Sequence, residues 1–287
     1  MQAIYDLPAP AKLNLFLHIT GRRADGYHLL QSVFTLIDWT DTLHLELRND
    51  GLITREDLTV ALPADDLCTR AARALQQATG CTSGAHIGIA KSIPAQAGMG
   101  GGSSDAASVL LGLNKLWGLN LPLQKLLPIG LALGADVPFF LGGHNAWVEG
   151  IGEKITPVAV PQAPLLVVKP DQGLDTRQIF SDPDLKRDSE PAILLGFAAD
   201  AYGFGRNDLQ PVAQKLCAGV QQALDWLQAQ GLNGRMTGSG SAVFAKMLHP
   251  VDLQNVPEGL QVRQCKSLEA HPLLGWADSD GLSVGSF

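Results

Sequence analysis

The sequence has 287 residues, 46% of them hydrophobic and 17% charged, which suffices for a packed core in one or two domains and is too apolar for a disordered chain. Its formal net charge of −7 argues against a general nucleic-acid binder, which needs a basic face. Cysteines stand at 68, 81, 217 and 265 with no C-x-x-C pair, so zinc and redox motifs are excluded and reduced, partly buried thiols of a cytoplasmic protein are expected.

Residues 11–19, A-K-L-N-L-F-L-H-I, alternate Leu13, Leu15, Leu17 and Ile19 with Lys12, Asn14, Phe16 and His18. Period two predicts a strand with one apolar face and with Lys12 and Asn14 together on the other. The N-terminus before it, M-Q-A-I-Y-D-L-P, has no basic region leading into an apolar core, so no leader peptide is expected. In G-R-R-A-D-G-Y-H, Asp25-Gly26 signals a tight turn between two apolar runs and hence a hairpin. Arg22, Arg23, Tyr27 and His28 then form either an exposed polar turn or, through the Tyr-His pair, a wall for stacking and hydrogen bonding to a base. Strands are predicted over 28–37 and 42–48, a helix over 67–79 with Asp65 or Asp66 as cap and Gly80 as stop, and a short strand over 85–91.

The stretch P-A-Q-A-G-M-G-G-G-S-S-D-A-A follows, running into a helix over 105–117 that buries Val109, Leu110, Leu113 and Leu116 and ends at Gly118. Glycines permit left-handed turns and close backbone approach, and a helix beginning there exposes unpaired N–H groups and the positive end of its dipole. Together they make an anion cradle suited to phosphate, with Ser103 and Ser104 available to cap the helix or add hydroxyl donors. A flexible loop is the plainer alternative. No lysine follows the last glycine and Ser103 replaces a third fingerprint glycine, so neither a Walker A loop nor a dinucleotide fingerprint is present.

Pro122 opens a further helix to about 133, with Pro128 inside and Gly134 as stop. The apolar stretch 126–141 is broken by Pro128, Asp136 and Pro138, which excludes a membrane span there. Within G-A-D-V-P-F-F-L-G-G, Asp136 is either the N-cap of a short helix or a carboxylate held toward a pocket. Strands are predicted over 144–148 and 164–169, with a Gly/Pro-rich connection that marks a domain boundary. Helices follow over 175–180, 190–200 and 210–230, the last with a stripe of Val212, Leu216, Val220, Leu224 and Leu227, and strands over 241–248 and 260–267. The turn M-T-G-S-G-S-A-V-F reads as a hairpin turn or as a second loop closing on the same polyanion.

P-A-K-L-N-L, P-x-x-x-G-M-G-G-G-S-S-D-A-A and M-T-G-S-G-S-A-V-F, spread over nearly the whole chain, resemble the three motifs of the GHMP small-molecule kinases. G-R-R-A-D-G-Y-H and G-A-D-V-P-F-F are similar to a branch of that family that phosphorylates the 2-hydroxyl of cytidine diphosphate-linked methylerythritol, in the non-mevalonate isoprenoid pathway. The resemblance implies an α+β fold of two domains, a ribosomal-protein-S5-like one over 1–155 and a ferredoxin-like one over 156–287, with the active site in the cleft between them. It implies Asp136 as the base and Lys12 as its charged partner. Pro94, Ala95, Gln96, Ala97, Gly98, Met99, Gly100, Gly101, Gly102, Ser103 and Ser104 become the ATP loop. Tyr27, His28 and Phe180 fall where the family holds the cytosine, and Asn14, Thr176 and Gly238 line the substrate pocket. Mg²⁺ would be held mainly through the phosphates, with no dedicated protein metal site and Ser104 as one candidate ligand. Partners would be the two small molecules alone, without nucleic acid or membrane, for a monomer or weak homodimer. Met99 stands where the family usually has leucine, and Ala95-Gln96-Ala97 makes the front of the loop less glycine-rich than in many relatives.

Overall fold

The computed structural model describes residues 1–278. In chain order its elements are β1 (Ala3–Arg22), β2 (His28–Arg48), β3 (Ile53–Asp57), α1 (Leu67–Thr79), β4 (Gly84–Ala90), α2 (Gly101–Leu116), α3 (Leu123–Leu133), α4 (Val137–Gly142), β5 (Ala146–Gly150) and β6 (Lys154–Pro157). After these come β7 (Pro164–Pro170), α5 (Thr176–Ser181), α6 (Leu194–Ala199), α7 (Gln210–Leu216), α8 (Ala218–Ala229), β8 (Arg235–Met236), β9 (Val243–Lys246) and β10 (Leu260–Lys266). Among the described residues no helix is long and apolar enough to cross a membrane.

β1 and β2 form one long antiparallel hairpin whose register runs from Ala3↔Glu46 to Arg22↔His28. The Asp25-Gly26 turn closes it, with Gly26 at φ 92° and its N–H donating to Arg23 O. β2 is continuous where two strands were expected. Its first part pairs with β5 and its second with β4, so a single strand serves two neighbours. The first sheet has the order β3-β4-β2-β5-β6, with β1 also on β2. The second sheet is β10-β7-β9-β8 and antiparallel throughout. The change of sheet falls between Pro157 and Pro164, and the chain returns at its end to bury Leu273 and Ala277 in the first core.

Helix α1 has the boundaries its caps dictate: Asp66 accepts from the N–H groups of Thr69 and Cys68, and Gly80 closes the other end at φ 67°. Helix α2 starts at Gly101, not near residue 105, because Gly100 at φ 72° takes the N-cap position and no serine side chain caps the helix. Almost all of α2 is buried under the first sheet. Pro122 is the N-cap of α3 and not its first helical residue. The helix expected over 190–200 is confined to α6. Ile193 is extended at φ −112°, and the N–H groups of Ser189 and Ala192 before it donate to Ile19 O and Gln31 Oε1, which ties this segment to the first sheet. The helix expected over 210–230 is split at Cys217, which takes φ −140° and is buried; Leu216 is left exposed while Val212, Val220 and Leu227 keep the inward stripe.

One apolar core lies between the first sheet and α1, α2 and α4, and another lies under α7 and α8 on the second sheet. A third joins the domains: Ala11, Leu13, Leu15, Val33 and Ile37 of the hairpin pack with Leu165, Val167 and Phe244 of the second sheet. The face of β1 opposite that apolar set is buried as well: Lys12 lies under the glycine loop bonded to Gly98 O, Asn14 N–H donates to Thr237 Oγ1, and the rings of Phe16 and His18 pack against Phe204.

Candidate active site

A cleft of about 870 Å³ opens between the two sheets. Its walls come from the middle of β1, the glycine loop, the segment before α4, α5 and the turn between β8 and β9. The positive φ values of Gln96, Gly98 and Gly100 fold residues 94–100 into a tight loop that delivers the chain to α2. There the N–H groups of Gly101, Gly102 and Ser103 lack partners within the helix, and Gly101 and Gly102 line the cleft. The mouth of α2 is thus a site for negative charge.

The loop is held from two sides. Lys12 N donates to Met99 O at 3.0 Å, and Ser241 N and Ala242 N donate to Gln96 O and Ala97 O at 3.0 and 3.3 Å. The turn between β8 and β9 approaches the first loop from the other domain. It is a hairpin connection, and its residues Gly238, Ser239 and Gly240 line the cleft facing the first loop. A Cβ on Gly98 would lie 2.2 Å from Thr237 O, and one on Gly238 would lie 2.8 Å from Gly98 O, so only glycines allow this approach.

Lys12 is buried with its ammonium in the cleft wall, donating to Asn14 Oδ1 at 2.5 Å and Gly98 O at 3.1 Å, 4.6 Å from the Phe34 ring centre. Asp136 Oδ2 is 3.8 Å from Lys12 Nζ. Burial pushes the Lys12 pKa down, and the Asp136 carboxylate opposes that shift. Asn14 is fixed by Ser32 Oγ and Thr237 Oγ1, each at 2.9 Å.

Four carboxylates line the cleft: Asp66, Asp105, Asp136 and Asp175. Asp66 caps α1 and pairs with Arg55, Asp175 caps α5, and Asp105 pairs with Lys91 at 2.6 Å. Asp136 occupies the N-cap position of α4, yet its side chain makes no capping bond. The plainer reading thus holds for its position in the chain, while the carboxylate, free of capping, lines the cleft with Lys12 as its neighbour.

The remaining expected residues fall unevenly. Thr176 Oγ1 meets Ser239 Oγ at 2.7 Å on the cleft wall. Phe180 also lines the cleft, and its ring lies 5.1 Å from that of His28 at 35°. Tyr27 is 60% exposed at the turn and is not part of the cleft wall. Ser104 does not suit a metal: it is fully buried and its hydroxyl donates to Pro10 O at 2.7 Å.

Sequence pattern missed a charged cluster beside the start of α2. Lys91 sits between Asp41 and Asp105, in contact with both. Asp41 also accepts the N–H groups of Ser92 and Ile93, which anchors the strand that feeds the glycine loop. Burial first, then the nearby Asp41 carboxylate, lifts the Asp105 pKa to about 8 against the opposing pull of Lys91. Burial and Asp105 hold the neighbouring Cys68 thiol well above its ordinary value. The aspartate in G-G-G-S-S-D was the one visible trace of this cluster, and its partners lie too far off in sequence to be paired with it.

Comparison with known proteins agrees with this geometry. Residues 66–144 match the family model of the GHMP kinases N terminal domain and residues 190–262 that of the GHMP kinases C terminal. A protein of Albidiferax ferrireducens named 4-diphosphocytidyl-2-C-methyl-D-erythritol kinase is 72% identical over 286 residues, covering 100% of both chains. One of the same name from Variovorax paradoxus is 65% identical over 96% of this chain and 100% of its own. The crystal structure of a 4-(cytidine 5'-diphospho)-2C-methyl-D-erythritol kinase superposes with a TM-score of 0.77 at 31% identity, over 92% of this chain and 98% of that one. A homoserine kinase from Cytophaga hutchinsonii, at 16% identity and a TM-score of 0.70 over 94% and 96% of the two chains, shares the fold.

A cleft between two such domains, with a glycine loop at a helix mouth, is the architecture of a small-molecule kinase. The chain belongs to the GHMP kinase family and, within it, to the 4-diphosphocytidyl-2-C-methyl-D-erythritol kinases.

Proposed function

We propose that this enzyme transfers the γ-phosphoryl group of ATP to the 2-hydroxyl of 4-(cytidine 5'-diphospho)-2-C-methyl-D-erythritol, with Asp136 as general base. The observation that carries the assignment is the freedom of that one carboxylate. Of the four in the cleft, Asp136 alone makes neither a helix cap nor a close ion pair, and Lys12 stands 3.8 Å away.

Phosphoryl transfer requires positioning and charge stabilisation more than covalent work by the protein. The loop of residues 94–104 holds the triphosphate against the N–H groups at the start of α2. Asp136 accepts the proton of the attacking hydroxyl. Lys12, 3.8 Å from that carboxylate and tethered to Gly98 O, faces the transferred group. Asn14, Thr176 and Gly238 border the acceptor, and its cytosine is received at Phe180 and the adjacent His28, with Tyr27 contributing from the exposed turn outside the cleft wall. Mg²⁺ would be carried mainly on the phosphate oxygens, where it would neutralise their charge.

A coupled assay of ADP release compares the cytidylylated acceptor with free 2-C-methyl-D-erythritol. We expect a preference of at least two orders of magnitude in kcat/KM, since the remote nucleotide supplies the binding energy for orientation. Equal use of the two alcohols would refute the acceptor.

A further inference from the structure

Arg187 lies outside every motif of the sequence, in the connection between α5 and α6, and its contacts are unlike those of a surface arginine. Nε donates to His28 Nε2 at 3.0 Å. The other two nitrogens donate to Leu185 O at 3.0 Å, Phe180 O at 3.2 Å and Asp182 O at 2.8 Å. One guanidinium therefore ties two separate elements together beside the cleft residue Phe180. It grips the end of α5, which carries Phe180, and the first residue of β2, which is His28.

The donor chemistry decides the state of the imidazole. A guanidinium has five hydrogens and no acceptor, so the nitrogen it meets on His28 must present a lone pair. His28 is then neutral, with its hydrogen on Nδ1. Its ring rests against Phe180, so one contact fixes tautomer and ring position together. The charges that act on His28 are both positive, Arg187 from the connection and Arg22 from β1. With burial as the largest cause, they hold its pKa below the ordinary histidine value.

We propose that Arg187 is a positioning residue for the base of the acceptor: it presets His28 as an Nδ1–H donor and locks it to Phe180 before the substrate arrives. The inference rests on the assignment of His28 and Phe180 to the cytosine. It makes Arg187 a determinant of acceptor affinity and not of ATP affinity, because rigidity set in advance lowers the cost of ordering the site.

The test is a double-mutant cycle on the purified enzyme, with KM measured separately for each substrate. Arg187→Ala is expected to raise the acceptor KM about tenfold while the ATP KM stays within about twofold. Arg187→Lys is expected to lose as much, since one ammonium cannot serve four acceptors in a plane. In the His28→Ala background, removing Arg187 is expected to cost little more. Nitrogen-15 shifts of His28 are expected to show the Nδ1–H tautomer in the wild type and a mixture in Arg187→Ala. Additive losses, an equal loss for ATP, or an Nε2–H tautomer in the wild type would overturn the proposal. A wild-type enzyme indifferent to the cytidylyl group would remove the acceptor assignment and this inference with it, and that result is seen before any variant is made.

Discussion

Asp136 and Asp105 line the same cleft, and their surroundings push them to different uses. Asp136 keeps about a third of its side chain exposed and makes its one ion pair across 3.8 Å. Its replacement by asparagine preserves shape and removes the proton acceptor. Asp136→Asn is expected to lower kcat by roughly 10²–10⁴-fold with the ATP KM little changed, measured by steady-state assay. A near-normal kcat would take the base away from this residue. Asp105 is buried, with its pKa raised to about 8. A carboxyl that holds its proton more tightly folded than unfolded favours the folded state at low pH, and that contribution is lost as pH rises toward about 8. Asp105→Asn mimics the protonated form. It is therefore expected to flatten the fall in melting temperature between pH 5 and 9, a 150–250-residue domain shifting by about 2–4 °C for each kcal/mol recovered. An unchanged slope would show that Asp105 is ionised throughout. Sequence made Asp136 and Lys12 visible because both sit in motifs. Lys91 and Asp41 were invisible because they meet Asp105 only through the turn of β2 against β4, across 14 and 64 positions of the chain (105 − 91 and 105 − 41).

The elements differ in how far their boundaries are written locally. Helix α1 carries its own cap and stop, Asp66 and Gly80, and its span was legible in the sequence, with the cap narrowed only to Asp65 or Asp66. The span of helix α6 was not, because the segment before it is tied to Ile19 and Gln31 on another domain. The short edge strands β3, β6 and β8 lack enough residues to show a period, and only their neighbours define them. The two glycine loops are intermediate. Each was readable as a turn, but their mutual contact, Gly98 against Thr237, was not. Gly98→Ala combines a left-handed backbone at φ 71° with a clash against a carbonyl. We expect a loss of about 1–3 kcal/mol in urea unfolding and a raised KM for ATP. A variant with wild-type stability and ATP KM would mean that the loops part without consequence.

For the molecule as a whole, the long β1–β2 hairpin is the shared wall. One part of its apolar surface packs under α2 and another against the second sheet. Arg206 O, Asp208 and Asn207 extend the junction by binding Leu17, Ile19 and the turn at Gly238. Neither domain can expose its half of this wall without stripping apolar surface from the other. Calorimetry is therefore expected to show one cooperative transition, raised by about 2.7 kcal/mol when ATP is present at a hundred times its Kd. Two separate transitions would contradict a common core. The two-domain α+β class was legible from the spread of the motifs. The closure of the domains was not, because alternation in β1 marks pleat and not which faces stay wet.

The cluster around Lys91 also bears on how the enzyme can be blocked. Cys68 lines the cleft, where a thiol invites design of a covalent inhibitor. Only a thiolate attacks an electrophile readily, and burial beside the Asp105 carboxyl keeps this sulfur protonated. A warhead aimed at Cys68 would thus find a poor nucleophile, and a selective ligand for this kinase must draw its residence time from non-covalent contacts on the side of the cleft where Arg187 holds His28.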